Sequence, residues 1–104
     1  MSEMKKCEYI KWFWKYIDDE TPVLLFYEVD LENERYATRM AEVFCDKVVK
    51  PVTEEGFDFV TEAPIPTVEE INCEPEFCAH IIQKAEFEEV YNSKKYRGCI
   101  EFPK

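Results

Sequence analysis

The 104-residue chain carries 23 acidic against 13 basic side chains, a net charge of −10. That length suits a single domain; 46% apolar residues are too many for a disordered chain, and two glycines leave no glycine-rich phosphate loop. The charge is uneven, with eleven acids and one base in residues 53–92 against one acid and four bases in 93–104, which disfavours nucleic acid as a ligand and suits a basic protein partner.

From Tyr9 to Ile17 the residues alternate as in a strand. Ile10, Trp12, Trp14 and Tyr16 fall on one face, and Lys11, Phe13 and Lys15 on the other. Asp18 to Pro22 breaks the pattern. Val23 to Asp30 resumes it, with Val23, Leu25, Tyr27 and Val29 opposite Leu24, Phe26, Glu28 and Asp30, so the two runs read as an antiparallel hairpin. Leu31 to Glu34 is a polar turn. The next run, Arg35 to Phe44, fits two periods. Tyr36, Met40, Val43 and Phe44 lie on a helical stripe, while strict alternation also separates two faces. Charge favours the strand. In a meander, Lys11 and Lys15, then Glu28 and Asp30, then Arg35 and Arg39 give positive, negative, positive across neighbours, and cross-strand pairs of opposite charge stabilise that register.

Val48 to Val52 reads as a short fourth strand, and Pro51 assigns it to an edge. Phe57 to Val60 is a further strand candidate. Ala63-Pro64-Ile65-Pro66 is extended, because residues before proline are driven out of the helical region. Thr67-x-x-Glu70 is a capping box opening a short helix with Val68 and Ile71 inward, ended by Pro75. His80 to Ile82 is a possible strand. Glu86 to Asn92 reads as a helix with Phe87, Val90 and Tyr91 as its stripe and Glu86, Glu88 and Glu89 outward. The expected architecture is α+β: a twisted antiparallel sheet, a meander of three or more strands, with one or two short helices on one face. Its core spans about 8–92, and the tail 93–104 is free to add an edge strand.

Trp14, Pro22, Phe26-Tyr27-Glu28 and Asp30, then ERYATRMAEVF (Glu34 to Phe44), EAPIPTVEEI (Glu62 to Ile71) and EFEEVY (Glu86 to Tyr91), together resemble a family of small bacterial domains of unknown function. The resemblance covers about residues 8–92 and implies a compact α+β protein, in a family with members near toxin and immunity genes. It also implies that the third segment is a strand ending in a tight Asp-Gly turn, where this chain has Lys47. Tyr16 stands where the family often has a histidine, which removes chemistry that needs that imidazole.

No run is long enough to span a bilayer, the start Met-Ser-Glu-Met-Lys-Lys lacks the apolar region of a signal peptide, and five scattered cysteines suggest reduced thiols. A cytoplasmic protein without membrane association is expected. Cys73, Cys78 and His80 approach a metal set but no second cluster completes it, so neither metal nor cofactor is expected. His80 is the one histidine, and no nucleophile–base pair stands out. The functional expectation is a binding module, an immunity protein blocking a basic toxin through Glu54, Glu55, Asp58, Glu69, Glu70, Glu74 and Glu76. The alternative is a small enzyme or ligand-binding domain on the charged sheet face. There Lys11, Phe13, Lys15, Phe26, Glu28, Asp30, Arg35, Arg39 and Glu42 would form the site, with Phe13 and Phe26 exposed beside cations.

Overall fold

A computed structural model describes residues 7–15, 17–32, 34–52 and 64–103. β1 (Cys7–Trp14), β2 (Leu24–Asp30), β3 (Tyr36–Val43) and β4 (Val49–Val52) form an antiparallel meander, followed by α1 (Val68–Ile71), β5 (Phe77–Ile82) and α2 (Lys84–Tyr91). The sheet order is β4-β3-β2-β1-β5, with every pair antiparallel. The ambiguous run Arg35 to Phe44 is therefore a strand over Tyr36–Val43, with Arg35 in the preceding turn, and Pro51 lies on an edge as its missing N–H requires. β5 extends the possible strand at His80–Ile82 back to Phe77 and pairs with β1. The Phe57–Val60 candidate lies outside the described residues.

β2 is buried on both sides. Leu24, Leu25, Phe26, Tyr27, Val29 and Asp30 are all buried, and only Glu28 is partly exposed. The reason is that the two helices serve different faces. α2 brings Phe87 and Val90 against Phe13, Leu24, Phe26, Ala41 and Val43. Ile65 and α1, through Ile71, cover Ile10, Leu25, Tyr27, Val29, Ala37 and Met40. This corrects the expectation of helices on one face. It also buries Phe13 and Phe26, at 6% and 0% exposure, where an exposed recognition patch was expected.

Among its described residues the tail adds no strand. Lys95 makes one bridge to Val48, Val49 donates to Lys94 O at 2.9 Å, and Tyr96 donates to Lys47 O at 2.8 Å. Tyr96 then turns into the core, with its ring against Phe26 and over Gly98, where an added Cβ would collide with the phenol oxygen. Anchoring that ring carries the chain off the sheet edge. Among the described residues no helix is long and apolar enough to cross a membrane.

Thr67 and Glu70 form the capping box at α1, with Glu70 N–H donating to Thr67 Oγ1 and Thr67 N–H to Glu70 Oε1. Lys47 has φ 69°, in the left-handed region that favours glycine. Its N–H closes the turn onto Phe44 O at 2.8 Å, while Asp46 Oδ1 accepts from Val48 N–H. The Cβ strain here exceeds what glycine's extra unfolded-state entropy costs. Lys47→Gly is expected to stabilise the fold by about 0.5–1 kcal/mol, read as a higher urea midpoint at unchanged slope.

Candidate functional site

A bulge on β3 decides which charges meet. Glu28 pairs with Arg39 and Val29 with Ala37, leaving Thr38 as the additional residue. Ala37 and Met40 therefore share one face, and Arg39, Ala41 and Val43 the other. The expected ladder survives in one pair, Glu28–Arg39. The opposite neighbour of Glu28 on β1 is Tyr9, while Lys11 lies opposite Phe26.

Arg39 grips Glu28 with both edges of its fork, Nε–Oε1 at 2.9 Å and Nη2–Oε2 at 2.7 Å. Its Nη2 also reaches Glu88 Oε2 on α2 at 2.6 Å. Glu28 accepts two further bonds, from Thr38 Oγ1 at 2.6 Å and Tyr9 Oη at 2.8 Å. The guanidinium carbon lies 5.1 Å from the Phe87 ring centre and 5.0 Å from that of Tyr91, and these two rings stack on each other. Glu88 is therefore a docking contact of α2, where an outward, solvated side chain was expected.

The electrostatics follow from these bonds. Hydrogen bonding from Arg39 outweighs burial and holds the Glu28 carboxyl at about 2. Burial first, then the bond to Glu28, pushes the Tyr9 phenol well above its ordinary range. Hydrogen bonds from Arg39 hold Glu88 below the usual carboxylate range. Neither Glu28 nor Tyr9 exchanges a proton near neutrality, so this pair does not supply general acid–base chemistry there. A carboxyl moved from 4.5 to about 2 couples folding to its ionisation. Because its folded value is the lower one, that stability is present above about pH 4.5 and is lost as pH falls toward 2. Glu28→Gln is expected to flatten this part of the stability–pH curve by about 2–3 kcal/mol, measured by urea unfolding between neutral and acid pH.

The other candidates are dispersed. Arg35 sits at φ 64°, and its side chain crosses to the opposite face, bonding Glu8 at 2.9 Å, Ile65 O at 2.8 Å and Pro66 O at 3.1 Å. Ile65 N–H returns a bond to Arg35 O at 2.7 Å. Asp30 is fully buried and organises the turn, accepting from Glu32 N–H at 2.9 Å. Lys11 lies over the Phe13 and Tyr96 rings, and Lys15 over Phe102. Glu42 is in register with Lys50. Glu28, Asp30, Arg35 and Arg39 thus do not converge on one surface, and their contacts fasten the turn, α2 and the Pro64–Pro66 strap to the sheet.

Glu69, Glu70, Glu74 and Glu76 are all exposed on α1 and the turn into β5. Glu54, Glu55 and Asp58 lie outside the described residues. Cys78 Sγ is 3.6 Å from His80 Nε2, whereas Cys73 Sγ lies 3.4 Å from Glu69 O. Among the described residues no group of three side chains is arranged to hold a metal ion. Tyr9, Thr38, Phe87, Tyr91 and Glu88 complete the Arg39 cluster without having been marked as site residues. No sequence pattern marked them, because the bulge at Thr38 shows only in the pairing of β2 with β3, and the groups that close on Arg39 otherwise come from β1 and α2.

The chain's residues 8–96 match the model of a family described as a domain of unknown function, DUF6881. The chain belongs to this family. Its matched span runs from Glu8, the partner of Arg35, through α2 and Glu88, the partner of Arg39, to the core residue Tyr96. The DUF6881 match thus encloses both ionic clasps and the acidic turn. No curated protein and no solved structure matches the chain.

Proposed function

We propose that this DUF6881 chain is a protein-binding module that engages and neutralises a basic protein, as an immunity protein does with a toxin. The observation that carries the reading is the concentration of acid: eleven acidic and one basic residue in 53–92. Four of those acids, Glu69, Glu70, Glu74 and Glu76, stand exposed on one short stretch. That stretch is tied down by the capping box and by Asn72, so little ordering entropy is lost when a partner docks. A dense acidic patch accelerates encounter with a basic protein and discriminates against acidic ones. The reading assigns the module to the cytoplasm, with its five scattered cysteines as reduced thiols.

The test is co-expression and co-purification with the proteins encoded beside its gene. A basic neighbour is expected to bind, with affinity falling about tenfold or more between low and moderate salt. Failure of every neighbour to bind, or binding indifferent to salt, overturns the reading.

A further inference from the structure

We propose that the groove between the end of β1 and the start of β5 receives an arginine side chain of a basic protein partner. The proposal rests on the binding-module reading above and assigns the anchoring point within it.

The groove holds about 480 Å³ and is lined by Trp14, Lys15, Ile17, Glu76 and Phe77. Its wall is aromatic. Trp14 and Phe77 have ring centres 5.6 Å apart, and Trp12 stands edge-on to Phe77 at 5.2 Å. Ile17, 69% exposed, gives the groove an apolar outer lip. The rim is ionic, with Glu76 lining the groove and Glu74 exposed two residues before it.

An aromatic wall with a carboxylate at its edge fits a flat cation. A guanidinium stacks on an indole or phenyl face, is more weakly hydrated than an ammonium, and presents several donors to a carboxylate at once. The competing cation in the lining is Lys15, whose ammonium lies 5.6 Å from the Phe102 ring centre. An apolar centre rimmed by charge is also the usual anatomy of an energetic anchor, where an arginine is among the favoured residues. The acidic stretch then supplies attraction at a distance, and the groove supplies fixed orientation.

The probe is ethylguanidinium chloride, titrated into the isotopically labelled full chain at constant ionic strength against sodium chloride. Saturating amide and indole shifts are expected at Trp14, Ile17 and Phe77, with quenching of tryptophan fluorescence. Glu76→Gln, at an exposed position, is expected to weaken the probe about threefold while leaving the melting temperature unchanged. Shifts centred elsewhere, or unaffected by Glu76→Gln, overturn the groove assignment. A basic protein partner gives a separate reading. If it binds wild type and the Ile17→Ser and Glu76→Gln variants equally, the groove assignment falls while the module reading stands. If no basic protein binds but the probe still maps to the groove, the module reading falls and the cation site remains.

Discussion

Arg39→Ala is expected to destabilise the fold by about 3–4 kcal/mol. The substitution leaves Glu28, whose side chain is 13% exposed, without its bidentate partner while Thr38 and Tyr9 still point donors at it. It also cuts the ionic tie to Glu88 on α2 and takes the guanidinium from beside Phe87 and Tyr91. For a domain of about 100 residues this amounts to a fall of roughly 15 °C or more in melting temperature. Two controls separate the causes. Glu88→Gln removes one partly exposed contact and is expected to cost about 1 kcal/mol. The double variant Glu28→Gln/Arg39→Met removes the stranded charge and keeps apolar bulk beside the rings, so it is expected to recover part of the loss. If Arg39→Ala and Glu88→Gln cost the same, the grip on Glu28 contributes nothing and the cluster is only a surface pair.

The placement of that cluster shows where sequence patterns inform and where they stop. Alternation at Ile10–Trp14 and Leu25–Val29 made the first hairpin legible, because side chains on a strand repeat every two residues. The opposite charges of Glu28 and Arg39 favoured β3 as a strand, and that pair does form. Arg35 was misplaced because strict alternation carries no room for the extra residue at Thr38, and one bulge exchanges the faces of everything before it. Phe13 and Phe26 were placed on an open face although the run Val23–Tyr27 is continuously apolar, the mark of a strand covered on both sides. α2 was legible as an amphipathic helix. Its target was not, since nothing in a helical stripe states which face of a sheet it will cover. Cys78 and His80 alternate with Phe77, Ala79 and Ile81, and this mixed pattern hid the first half of β5.

That hidden strand produces the second large effect, at Asn72. A sheet edge presents unpaired N–H and C=O groups, and the two edges here are protected differently. β4 is short, contains Pro51 and Lys50, and is held by the tail through Lys94. β5 has neither proline nor lysine, and Ile81 on it is 55% exposed. Its protection comes from the end of α1. Asn72 Oδ1 accepts from Ala79 N–H at 2.7 Å, and Asn72 Nδ2 donates to Ala79 O at 3.0 Å. In an antiparallel pair a residue directs both its groups either toward its neighbour or away. Ala79 lies opposite Trp12, so its bonds to Asn72 identify it as an outward position. The amide of Asn72 thus occupies the place that a residue of a sixth strand would take. Phe77 N–H is likewise satisfied by Glu74 O at 3.2 Å.

Asn72→Ala removes both partners of Ala79, which is only 1% exposed, and is expected to cost about 2–3 kcal/mol. It also opens the edge, so concentration-dependent association is expected in light scattering where the wild type shows less. Asn72→Asp retains the acceptor for Ala79 N–H but sets a carboxylate against Ala79 O, and is expected to destabilise without exceeding the alanine variant's association, because charge deters edge pairing. Adding Ile81→Lys to Asn72→Ala is expected to abolish the association while leaving the stability loss in place. If stability and association instead recover together, Asn72 acts only as the cap of α1, and the edge of β5 is protected by something else.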